Sequence, residues 1–131
     1  MFDCLILGDS IAVGTAKYRP DCVVHAQVGI NSRDWNNKFI GKNLDSNTVI
    51  ISLGSNDHGN IKTLNELVEL RENLKSKKVF WILPANNANT REVVRSVATK
   101  FQDTTIDIPY ISKDNVHPSA KGYRELAEKT K

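Results

Sequence analysis

Residues 4–10 read Cys4-Leu5-Ile6-Leu7-Gly8-Asp9-Ser10: four apolar side chains in succession, then a glycine, an acid and a hydroxyl. A short run that is apolar at every position, not every second one, is the pattern of a strand covered on both faces. Four more short apolar runs follow, at residues 22–24, 49–53, 79–83 and 106–110, and Val and Ile recur among them. The segments between them have helical spacing. The clearest carries Leu64, Leu67, Val68 and Leu74 and opens with Thr63 and Glu66 in capping-box spacing. A second opens at Asn89 with Glu92 and carries Val93, Val94, Val97, Ala98 and Phe101. A third runs from Ser119 through Tyr123, Leu126 and Ala127, and weaker helical segments follow Ser10 and Ser32. Strands alternating with helices imply right-handed βαβ units and a parallel sheet. The expected fold class is therefore α/β, a flavodoxin-like three-layer α/β/α sandwich around a five-stranded parallel sheet.

Composition narrows the function classes. At 131 residues, 40% hydrophobic and 25% charged, the chain reads as one ordinary globular domain that buries about two thirds of its unfolded surface. The net charge of +3 comes from 18 basic and 15 acidic residues mixed along the chain, without the dense basic block of a nucleic-acid binder. The apolar stretch at 4–7 is too short for a signal or membrane helix, so neither export nor membrane insertion is expected and a cytoplasmic setting is. Cys4 and Cys22 both fall in apolar runs, without metal-ligand spacing. They read as buried free thiols of a reducing compartment, with a disulfide as the less favoured alternative. No metal or organic cofactor is expected.

In open parallel sheets ligands bind outside the carboxyl ends of the strands. Ser10, Gly29 and Asn56 each follow a predicted strand by a few residues, and His117 follows the last one through a loop, so all four project from the same edge. Ser10 sits where a strand turns into a helix, a place where serine commonly acts as an N-cap. Asp114-Asn115-Val116-His117-Pro118 offers a carboxylate three residues before an imidazole, which is also a turn-forming sequence. Serine, histidine and aspartate together are the parts of a nucleophilic hydroxyl system. Because Ala12 stands where Gly-x-Ser-x-Gly needs its last glycine, the α/β-hydrolase elbow is not the template.

Four blocks in this order resemble the SGNH subgroup of the GDSL hydrolases, which are serine esterases and lipases: Gly8-Asp9-Ser10, Gly29, Gly54-Ser55-Asn56-Asp57, and Asp114 through His117 to Tyr123. The resemblance spans residues 8–122. It implies a single SGNH-type domain over 1–131 with Ser10 as nucleophile, His117 as base and Asp114 as its orienting acid. It also implies an oxyanion hole from the backbone N–H groups of Ser10 and Gly29 and the Asn56 side chain. The second block is looser, reading Gly29-Ile30-Asn31-Ser32-Arg33 without a further small residue after the glycine, and a plain turn glycine competes there. Asp9 and Asp57 are expected to order the loops. His58, Asn86 and Trp35 are candidates to border the substrate; His25 and Trp81 read as structural.

The expected activity is hydrolysis of a short-acyl ester, on a small alcohol or a glycan, because so short a chain leaves little room for a lid and an open, shallow site is expected. A catalytically weak carbohydrate-binding module of the same fold is the alternative. A phosphate-binding flavodoxin-like protein is disfavoured, since the loop after the first strand holds Asp9 and no run of glycines.

Overall fold

The computed structural model describes residues 1–131. The elements follow in strict alternation: β1 (Phe2–Gly8), α1 (Ser10–Ala16), β2 (Val23–Ala26), α2 (Ser32–Phe39), β3 (Asp45–Ser52), α3 (Thr63–Glu72), β4 (Lys75–Ile82), α4 (Ala88–Lys100), β5 (Thr104–Ile106) and α5 (Ala120–Lys129). The five strands form one parallel sheet in the order β2-β1-β3-β4-β5. This is the flavodoxin-like α/β three-layer fold. No helix is long and apolar enough to cross a membrane.

The unbroken apolar runs divide between two cores by the two-residue period of a strand. Leu5, Leu7, Val49, Ile51, Val79 and Trp81 face Trp35 of α2, Leu67 and Leu70 of α3, and Val94 and Val97 of α4. Their alternates Cys4, Ile6, Ile50, Phe80 and Ile82 face Ile11 and Ala12 of α1 and Leu126 of α5. Each such aliphatic burial contributes roughly 1.5–3 kcal/mol. With both faces covered, polar residues can appear on β1 and β3 only at their ends, and the carboxyl end is where Gly8, Asp9 and Ser52 stand.

Several local expectations change. The fifth strand is Thr104–Ile106, not 106–110: its last ladder bond runs from the Leu83 N–H to the Ile106 carbonyl, and beyond it Pro109 has no N–H to continue the ladder. Helix α3 begins at Thr63 but is not capped by it, since the Thr63 hydroxyl donates to Asp57 instead (2.7 Å). The cap of α4 is Asn87, two residues before Asn89, accepting from the Thr90 N–H. Ser119 does cap α5, accepting from the Gly122 N–H.

The free-thiol reading of Cys4 and Cys22 is corrected: the two form a disulfide. The register Leu5↔Val23 sets Cys4 of β1 beside Cys22, the residue just before β2, with Cα atoms 4.5 Å apart.

Candidate active site

At the carboxyl end of β1, Gly8 has φ +140° and lies against β3 so closely that a Cβ would sit 1.9 Å from the Ser52 carbonyl oxygen. This approach lets the next residue bond β3 twice. The Asp9 N–H donates to the Ser52 carbonyl (3.0 Å), and the Ser52 hydroxyl donates to Asp9 Oδ1 (2.9 Å). The same Oδ1 accepts from the Ile11 N–H, so Asp9, and not Ser10, is the N-cap of α1. The cap reading of Ser10 is thereby excluded. Its hydroxyl, relieved of the helix, lies 2.8 Å from His117 Nε2 across 107 residues of chain.

His117 is held by a hairpin-like loop. Ser112 N–H donates to the His117 carbonyl (2.8 Å), Ser119 N–H to the Tyr110 carbonyl (2.9 Å), and Ile111 and Pro118 form an antiparallel bridge. Asn115 turns the loop in the left-handed region at φ +58°, which asparagine tolerates better than most residues. Asp114 Oδ1 accepts from the N–H groups of Val116 and His117 and from the Ser112 hydroxyl, leaving Oδ2 2.7 Å from His117 Nδ1. A carboxylate accepts only, so Nδ1 carries the proton and Nε2 accepts from the Ser10 O–H. The His117 N–H and imidazole, followed by Val116 and Ser112, hold the exposed Asp114 carboxyl well below its usual range.

The other two blocks close around this chain. Gln27 N–H donates to the Gly8 carbonyl (2.9 Å), tying the β2–α2 loop to β1. In that loop Gly29 adopts φ +80° on open surface, and its N–H has no partner within the protein. Asn56 donates one amide hydrogen to the Ile30 carbonyl (3.1 Å), so the second and third blocks touch. Buried Asp57 locks them together by accepting from the Ser32 N–H (2.8 Å), the Ser32 hydroxyl (2.6 Å) and the Thr63 hydroxyl (2.7 Å).

The remaining candidates part ways. His58 is exposed and lines a polar cleft of about 450 Å³ with Lys62, Asn65, Asn87, Asn89 and Thr90, beside the Asn56 block. Asn86 is exposed and donates to the Ser55 carbonyl (3.1 Å), shaping the same loop. Trp35 is corrected: it is wholly buried among the α2, α3 and sheet side chains, offers no surface to a ligand, and donates Nε1–H to the His25 carbonyl. His25 stacks on Phe39, and burial lowers its pKa. Ser10 and His117 are both half-buried at this edge, and neither lines any of the clefts on the molecule.

Four contributors escape sequence reasoning. Ser52, Ser32 and Ser112 supply donors to Asp9, Asp57 and Asp114; of these only Ser52, a polar residue closing an apolar run, carries a sequence signal. The fourth is Gly14, where a Cβ would meet the Tyr123 ring at 2.4 Å. This contact seats α5, which follows the His117 loop, on α1, which begins at Ser10.

No family model and no curated protein matches the sequence. Solved structures do. The C-terminal catalytic domain of Streptococcus pneumoniae peptidoglycan O-acetyltransferase A, with a methylsulfonyl adduct, superposes with a TM-score of 0.64 at 17% identity, covering 97% of this chain and 89% of that one. A candidate acylhydrolase from Bacteroides fragilis gives a TM-score of 0.69 at 18% identity, covering 96% and 83%. The shared feature is the three-layer α/β fold around a parallel sheet. At these identities the likeness establishes architecture, and the chemistry has to be argued from the side chains.

Asp9 is a wholly buried acid at this edge. Burial raises its pKa from 3.8 to about 6, against the hydrogen bonds from Ser52 and Ile11, and its Oδ2 has no partner. Because the folded value lies above the unfolded one, the native state binds the extra proton. Stability from this group is full below pH 3.8 and lost as pH rises through 6, a shift of about 3 kcal/mol at 1.36 kcal/mol per unit. Asp114 has the opposite sign: its stabilisation is present above its unfolded value and lost as pH falls. Asp9→Asn keeps an oxygen for Ile11 and Ser52 but cannot titrate. Urea midpoints of this variant are expected to lose the decline between pH 4 and 7; a decline as steep as the wild type's would assign the titration elsewhere.

Proposed function

We propose that this chain is a serine-dependent acyl-transfer enzyme that hydrolyses short-acyl, acetyl-type esters through an acyl-enzyme intermediate. The observation that carries the reading is the continuous line of hydrogen bonds from Ser10 Oγ to His117 Nε2 and from Nδ1 to Asp114. In the proposed cycle Ser10 Oγ attacks the ester carbonyl as its proton passes to Nε2, and Asp114 stabilises the resulting imidazolium. The carbonyl electrons move onto oxygen, which accepts from the Ser10 and Gly29 N–H groups and from the second amide hydrogen of Asn56. His117 returns the proton to the departing alcohol, and water then repeats the attack on the acyl-Ser10 ester to release the acid.

With no cleft lined by Ser10, a small acyl group on a bulky alcohol is favoured over a long chain that needs a tunnel. The polar cleft beside the Asn56 block, with His58 in its lining, suits a hydroxyl- or amide-bearing alcohol such as a sugar. The cytoplasmic expectation rests on an apolar stretch at 4–7 that is too short for a signal helix; with Cys4 and Cys22 joined, an oxidising compartment fits better.

The test is hydrolysis of p-nitrophenyl acetate, butyrate and octanoate by wild type and by folded Ser10→Ala. Ser10-dependent rates that fall with chain length support the proposal, and rates that rise with length overturn the short-acyl assignment. Acetylated-glycan binding that survives in a protein with no Ser10-dependent turnover would favour the carbohydrate-binding alternative. Asn56→Ala is expected to lower kcat for acetate about 10²- to 10³-fold with KM little changed, as loss of a donor to a developing oxyanion does. Steady-state kinetics decide it, and a KM effect alone would make Asn56 a loop tie and nothing more.

A further inference from the structure

The opposite end of the sheet carries a second feature, independent of the reading of Ser10. The first half of β4 pairs with β3 through Lys75, Ser76, Lys78 and Val79, but β5 joins β4 only from Phe80 onward. One edge of residues 75–79 is therefore without a strand neighbour. Beside that edge is a polar cleft of about 460 Å³ that gathers Lys77 and Lys78 of β4, Lys129 and Lys131 from the end of α5, and Gln102 and Thr104. The acid that also borders it, Asp103, is already taken by Arg71 (2.7 and 2.9 Å) and by Trp81 Nε1–H (2.9 Å). Lys129 and Lys131 pair only with half-buried Glu125 and exposed Glu128, contacts worth under about 1 kcal/mol that a competing anion can replace. Lys77 and Lys78 have no carboxylate partner.

From this juxtaposition we infer that the free β4 edge and its four lysines form a docking cleft for an extended acidic segment of another protein, added as a short strand. The positive charge selects an anion, and the unpaired main-chain groups select a polypeptide over a polyphosphate or a lipid surface. The two hydrophobic residues of the cleft, Val79 and Phe80, are buried, so no exposed aromatic is available to stack a nucleic-acid base. A second copy of this chain is repelled by the same charge. Lysines on a free edge do guard it against self-pairing, but that explains Lys77 and Lys78 without the two on α5. Docking here leaves the Ser10 edge, at the far end of the strands, open to substrate.

The experiment is anisotropy of a fluorescent peptide of alternating Glu and Thr titrated with the whole protein at low salt. Binding is expected in the range of about 10–100 µM, weakening with salt. It should fall roughly tenfold, or 1.4 kcal/mol, in Lys77→Glu/Lys78→Glu and with a peptide N-methylated at alternate residues, while ester hydrolysis is unchanged. No binding overturns the inference, as does equal binding of the N-methylated peptide, polyphosphate, duplex DNA or anionic vesicles. Self-association of the lysine variant without peptide binding by the wild type overturns it too, reducing the lysines to guards of the edge.

Discussion

Alanine at Ser10 or at His117 is expected to lower kcat/KM for an acetyl ester by about 10⁴- to 10⁶-fold, and the double variant is expected to be no worse than either single one. The reason is the geometry of the shared proton. Ser10 Oγ is 2.8 Å from His117 Nε2 and has no other protein partner, so each group is idle without the other. Asp114→Asn should cost about 10⁴, because an amide at Oδ2 donates toward Nδ1 and turns the imidazole to the wrong tautomer. Asp114 stays ionised through the neutral and mildly acid range, so it contributes no limb to the pH–rate profile there. Neither alanine substitution disturbs the α1 cap, which belongs to Asp9, so circular dichroism and urea midpoints near wild type should accompany their loss, whereas Asp114→Asn also gives up the stabilisation of an ionised carboxyl in the His117 loop. Additive losses in the double variant would mean that Ser10 and His117 act separately, and the acyl-enzyme route would fall with that result.

How far this site could be read from sequence follows from what each feature depends on. Ser10, Asn56 and His117 were legible because a parallel sheet carries every strand-end loop to one edge, whatever the strand order. The disulfide was not, because it needs β2 to lie beside β1 in the register Leu5↔Val23, a fact of strand order that two isolated apolar runs do not contain. Trp35 follows a loop glycine closely enough to suggest a pocket wall. The Asn31 cap, however, starts α2 in a phase that turns position 35 onto the sheet. The assignment of the α1 cap to Asp9 depends on Ser52, a residue 43 positions away, and only the β1–β3 pairing reveals it. Features set by helical or strand period were readable; those set by which neighbour lies alongside were not.

Gly8 and Gly29 show the same division in energetic form. Gly8→Ala is expected to destabilise the fold by more than about 3 kcal/mol. A Cβ there would lie 1.9 Å from the Ser52 oxygen and 2.7 Å from its carbonyl carbon, and φ is +140° besides. The obstacle is backbone of a central strand, so relief requires β1 and β3 to separate. That separation would break both Asp9–Ser52 bonds and move the N-terminus of α1 that carries Ser10. At Gly29 the same methyl meets nothing within 4 Å, so Gly29→Ala should cost only the left-handed conformation at φ +80°, roughly 1–2 kcal/mol. The two variants therefore separate scaffold from chemistry. Urea titration should show Gly8→Ala far less stable than Gly29→Ala, and Gly29→Ala should lose kcat out of proportion to its stability if its N–H serves the oxyanion. Equal midpoints would mean that β1 and β3 give way easily at Ser52, and that the close approach at Gly8 is not what holds Ser10 in place.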